Sequence, residues 1–168
     1  MLTYDIEADG LLDTVSKVHC IVTNDSEEPE VFHRYHGLGI EVVLDELSKN
    51  TIIAHNQLGY DLRVLEKLYP QFKRPPMENI IDTLVLSRLV NPDAKGGHSL
   101  EAWATRFIKR GLSVPEKYMI TDWSNQSLDD YLMRCETDVM INVKVFEVLK
   151  KHIDINELGR SSLWSNLI

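Results

Sequence analysis

Asp5 and Glu7 interrupt an otherwise apolar run, Leu2–Ala8 (LTYDIEA). Strand alternation puts residues two apart on one face, so the two carboxylates would sit side by side. With 26 acids in 168 residues, about four such pairs arise by chance, and the apolar neighbours carry the signal rather than the pair. Paired carboxylates repel and raise each other's pKa unless a cation neutralises them. The plain alternative is a solvated edge strand. Asp61 closes the stretch His55-Asn56-Gln57-Leu58-Gly59-Tyr60-Asp61, in the first turn of an expected helix, where an Asp also answers the helix dipole. Asp138 lies inside a long helical pattern, in Cys135-Glu136-Thr137-Asp138-Val139. An Asp has poor propensity there, which asks for another reason.

Carboxylate oxygens suit Mg²⁺ or Mn²⁺, and two such ions together are a device for phosphodiester hydrolysis. Asp5 is the natural bridging ligand, with Glu7 and Asp138 on one ion and Asp61 in the outer shell of the other. The six histidines show no HxxxH spacing, which argues against zinc. Nor does any Walker loop, GxSxG or GxGxxG motif occur.

The elements that must position these acids read as follows. Strands are expected over 2–8, 17–24 and 30–36, with a turn at Asp25–Pro29 between the last two. A helix over Ile40–Lys49 and a short strand over Thr51–His55 follow, then a helix over Leu58–Tyr69 ended by Pro70. Further helices are expected over Asp82–Val90, Ser99–Lys109 and Ser127–His152. The order implies one mixed α/β domain over residues 1–168, with no internal repeat. The apolar segment Leu163–Ile168 is left to pack on the core or dock a partner.

A net charge of −8 does not by itself suggest a nucleic-acid partner. Its distribution softens that objection, because residues 67–110 carry 8 basic and 4 acidic side chains against 4 and 13 in residues 1–66. Two distant cysteines, and no apolar run long enough to span a bilayer, lead to the expectation of a cytoplasmic protein without signal peptide or membrane association.

Four stretches together resemble the DEDD superfamily of 3′→5′ exonucleases, and most of all the proofreading domain of podovirus-type family A DNA polymerases. They are Tyr4–Leu12, His55–Asp61, Ile81–Leu89 and His98–Trp103, and the spacing holds through Thr137-Asp138-Val139. The resemblance implies an RNase H-like fold, with three antiparallel strands plus one or more parallel strands, flanked by helices. It implies hydrolysis of the terminal phosphodiester of single-stranded nucleic acid, DNA ahead of RNA, with two Mg²⁺ or Mn²⁺ ions. A separate DNA polymerase chain is an expected partner, and a phage-encoded protein would work in the host cytoplasm. Asp5, Glu7, Asp61 and Asp138 match the metal-binding carboxylates, Leu11 the residue wedged against the terminal base, and Asn56 a polar substrate contact. Leu11 as a core leucine and Asn56 as a helix cap are the structural alternatives. Asp82 and His98 are expected to be structural.

The pattern departs at one place. The family has a Tyr four residues before its last Asp, or a His five before, to orient or deprotonate water. Here those positions hold Arg134 and Met133. Arg134 cannot act as a base at neutral pH, but can contact a phosphate. Tyr131 is seven residues before Asp138, ~10.5 Å along a helix axis against ~6 Å for a four-residue spacing. Three outcomes are open: water activation by the ions alone, another residue in the role, or a module that binds without cleaving.

Overall fold

The computed structural model describes residues 1–115 and 126–153; the Leu163–Ile168 tail lies outside them. Five strands form one sheet in the order β3-β2-β1-β4-β5. They are β1 (Leu2–Ala8), β2 (Val18–Asp25), β3 (Phe32–His36), β4 (Ile52–Ala54) and β5 (Ile80–Asp82). The β1–β2 and β2–β3 pairs are antiparallel, whereas β1–β4 and β4–β5 are parallel. The helices are α1 (Gly39–Lys49), α2 (Asp61–Leu68), α3 (Thr83–Val90), α4 (Leu100–Lys109) and α5 (Leu128–Leu149). This is the expected mixed sheet flanked by helices.

Strand alternation sorts the core into two layers. Tyr4 and Ile6 of β1, with Ile52 and Ala54 of β4, join Leu44 and Leu47 of α1 and Leu62 and Leu65 of α2. On the opposite face, Ile53 and Ile81 pack with Phe107 of α4 and Ile141 and Phe146 of α5. Cys20 and Val22 of β2 meet Cys135 and Val139 of α5 on that face too. Val22 and Cys20 are the cross-strand partners of Asp5 and Glu7, so the two acids face α5. No described helix is long and apolar enough to cross a membrane.

Several boundaries differ from the sequence reading. The strand β5 was not anticipated, because it is short and its last residue, Asp82, reads as the start of the following helix. Asp82 ends that strand and caps α3, accepting from the amides of Leu84 and Val85, as its structural role required. The helix expected from Leu58 begins at Asp61, since Asn56 takes a left-handed φ of 68° and the chain turns before it can coil. The long helix α5 starts where expected, on a capping box in which Ser127 and Asp130 satisfy each other's backbone amides.

Candidate metal centre

The acids come together where β1, α2 and α5 meet. Carboxylate oxygens of Asp5, Glu7 and Asp138 all lie within 4.8 Å of one another. Alternation along β1 supplies the first two, and the face of α5 turned toward the sheet supplies the third. Glu7 and Asp138 are buried and Asp5 is half-buried. Asp61 is buried in the wall of the same cleft, outside the three-way cluster. Burial pushes its pKa up to about 7, with further contributions from the charges of Asp82 and Glu7. The cleft is open and holds about 720 Å³, within the range of ligand sites.

Two loops set the rim. Asp9 accepts from the amides of Ser16 and Lys17 and from the Ser16 hydroxyl, which ties down the loop after β1 and holds the Asp9 pKa at about 2. Tyr60 closes the loop on the other side by donating its hydroxyl to the Gly10 carbonyl at 2.5 Å. That loop presents Leu11, 78% exposed, which rules out an ordinary core leucine. Asn56 is exposed on the opposite loop and caps no helix, because α2 begins from Tyr60 with no side-chain cap. Asp82 holds this second loop through the amides of Asn56 and Leu58, at 3.0 and 3.1 Å.

Arg134 also lines the cleft, and its Nε lies 2.7 Å from Glu7 Oε1. Arg134 and Asp138 are four residues apart on α5 and share a face. His98 Nδ1 lies 2.8 Å from the Ser87 hydroxyl oxygen, and that oxygen accepts from the Trp103 indole at 3.1 Å.

Four ring-bearing residues of the cleft were not singled out as site residues from sequence: His19, His55, Tyr60 and Tyr131. The β1–β2 register shifts between Glu7 and Ala8, whose partners are Cys20 and Val18, leaving His19 as the extra residue of a bulge. Bulges commonly re-aim a side chain at the rim of a site. The His19 ring stacks on Tyr131 with centroids 4.1 Å apart and planes within 6°. Burial, then the nearby Lys17 charge, lowers the His19 pKa below its usual range. His55 Nδ1 sits 2.9 Å from Thr83 Oγ1. Only the pairing register reveals a bulge, so His19 carries no local signal, and the seven-residue spacing of Tyr131 from Asp138 argues against the role of the family's tyrosine.

No protein-family model matches the chain. The DNA polymerases of phages T3 and T7 are 33% and 32% identical to it over 212 residues, spanning 98% of this chain and 30% of each polymerase. The chain is a homologue of these phage polymerases. It spans about a third of their length. Among solved structures, Brucella melitensis NrnC superposes with a TM-score of 0.66 at 16% identity, covering 99% of this chain and 78% of NrnC. The Aedes aegypti Nibbler EXO domain gives 0.64 at 11% identity, covering 95% and 84%. At such identities the likeness shows the fold alone, the RNase H-like mixed sheet flanked by helices. The relationship and the architecture implied by the sequence resemblance therefore both hold.

Proposed function

We propose that this chain, as a single domain over residues 1–168, is a metal-dependent 3′→5′ exonuclease. It hydrolyses the terminal phosphodiester of single-stranded DNA and releases nucleoside monophosphates. The observation that carries this reading is the Asp5–Glu7–Asp138 cluster at an open cleft, in a chain homologous to phage DNA polymerases. Three hard oxygen donors within 4.8 Å, with no His or Cys among them, fit Mg²⁺ or Mn²⁺. NrnC has been solved with Mg²⁺ and bound to pGG, which supports the same assignment.

Asp5, Glu7 and Asp138 would hold one ion, and Asp5 with Asp61 would serve a second. Bound divalent cations supply water activation and charge stabilisation at the phosphate. The chain's own residues do the positioning. Leu11 at the rim wedges against the terminal base, and Asn56 across the cleft contacts the terminal nucleotide. Apolar and stacking contacts of this kind grip a frayed end with little base readout. Arg134 is placed to meet a phosphate oxygen. The domain works beside a polymerase, either in a longer chain or as a separate partner, in the cytoplasm of a host cell.

A 5′-labelled single-stranded oligonucleotide with Mg²⁺ or Mn²⁺ tests this reading, with an RNA strand of the same sequence alongside. A ladder of stepwise shortening from the 3′ end is expected, absent with EDTA and in Asp5→Ala. Immediate release of the labelled 5′ nucleotide would overturn the polarity. A second reading, a module that binds without cleaving, draws on the Arg134–Glu7 pair, which engages a ligand carboxylate at the position of the family's tyrosine. Retained binding with no cleavage in either metal would favour it.

A further inference from the structure

The Arg134–Glu7 contact joins two side chains that are 20% and 8% exposed, so it is an ion pair formed largely out of water. A guanidinium is permanently charged and weakly hydrated, which makes it the basic group best suited to such a place. Among the described residues, it is also the one Lys or Arg side chain lining the cleft. Three carboxylates with oxygens within 4.8 Å need positive charge nearby, and Arg134 supplies it at 2.7 Å. The oxygen it engages, Glu7 Oε1, belongs to a residue of the proposed ion site.

We infer that Arg134 is a positioning residue that competes with divalent metal for Glu7, so that metal loading requires the guanidinium to leave. The inference rests on the metal-centre reading above. Its physical content is a shared partner: a guanidinium 2.7 Å from Glu7 Oε1 and a divalent ion held by the same carboxylate repel each other, so each weakens the other's hold on Glu7. The fraction of molecules with Arg134 docked lowers the apparent metal affinity by that fraction. A released guanidinium needs another anion, and a substrate phosphate in the cleft offers one. Substrate binding then frees Glu7 and favours metal, and by reciprocity metal favours substrate. The arginine thus neutralises the empty cluster and makes ion loading depend on a phosphate being present.

Isothermal titration with Mn²⁺ alone, on the full chain and on Arg134→Gln, reads the competition directly. We expect the variant to bind Mn²⁺ about ten-fold tighter, although it loses a favourable contact in the metal-free state. Arg134→Lys, which keeps the charge without the planar fork, falls between them. Equal or weaker binding by Arg134→Gln, with Mn²⁺ still bound by the parent, overturns the competition and leaves the metal centre standing. Absence of Mn²⁺ binding in both proteins would remove the metal centre and this inference together. A measurement on the unaltered chain covers the case of a variant that does not fold. The arginine side-chain ¹⁵Nε resonance of Arg134 is followed while Mg²⁺ is added, and it is expected to move in step with metal binding. A resonance that stays fixed while Mg²⁺ saturates the Asp5 and Glu7 signals contradicts displacement.

Discussion

Asp82 and the acids of the cleft are carboxylates held at the same sheet and answered in opposite ways. Asp82 is 1% exposed, yet its oxygens receive the amides of Asn56, Leu58, Leu84 and Val85 at 3.0–3.4 Å. That is a local solution, built from backbone donors, and it locks β5, the Asn56 loop and α3 together. Asp5, Glu7 and Asp138 are instead set against one another, with a guanidinium beside them. The first arrangement makes a carboxylate useful to the fold. The second makes acids costly to the fold and useful to a cation. Burial alone does not mark a site; what the neighbours are does.

The largest expected effect breaks this contrast on the side of activity. Asp5→Ala should lower cleavage by ~10³-fold, because the ions supply several kcal/mol of charge stabilisation. Its metal-free stability in urea should be unchanged or higher, since one of three repelling charges is gone. Asp82→Ala should do the reverse, losing ~2–4 kcal/mol of stability in urea denaturation as four backbone amides lose their acceptor. If the two variants lost equal stability, the distinction between a structural and a cation-binding acid would collapse.

Arg134→Tyr comes next and returns a hydroxyl to the position where the family carries one. A rate increase of ~10-fold is expected in single-turnover cleavage, below the ~10²–10⁴-fold that a positioned general base contributes. An unchanged or lower rate would mean that another group, for which His19 and Tyr131 are in place, already serves the water.

The smallest effect is a pH dependence. Asp61 has its folded pKa raised to about 7 from 3.8, so between those values the folded state binds more protons than the unfolded state. Metal-free stability from this group is therefore greatest below pH ~4 and is lost as pH rises to about 7. Asp61→Asn should flatten that decline in denaturation curves taken from pH 4 to 8. A decline that persists unchanged in the variant would assign it to other groups. Mn²⁺ should offset the loss, and should therefore raise the melting temperature more at pH 8 than at pH 5.

Much of the architecture was legible because it is periodic. Alternation in Leu2–Ala8 already placed Asp5 and Glu7 on one face, and the helical spacing of apolar residues over Ser127–His152 already marked α5. Leu11 could be named from the family resemblance, though only its exposure separates a rim residue from a core one. What stayed hidden is non-local. The short strand β5 ends on Asp82, which reads as the start of the following helix, and the bulge that turns His19 into the cleft exists only in the pairing of β1 with β2. Asn56 with its left-handed backbone shows no cue beyond its residue type, and the loop it starts is what moved the beginning of α2 from Leu58 to Asp61.

The carboxylates show the same division. Their identity, order and spacing are properties of the chain, because a ligand must be an acid and an acid inside an apolar segment is conspicuous. Which of them share one cluster is decided by the sheet order and by α5 packing across β1 and β2. That packing brings Asp138 to Asp5 and Glu7, keeps Asp61 in the wall, and sets Arg134 on Glu7. Sequence periodicity acts over a few residues, whereas these distances join residues separated by 54 to 133 positions. Only the tertiary fold could set them.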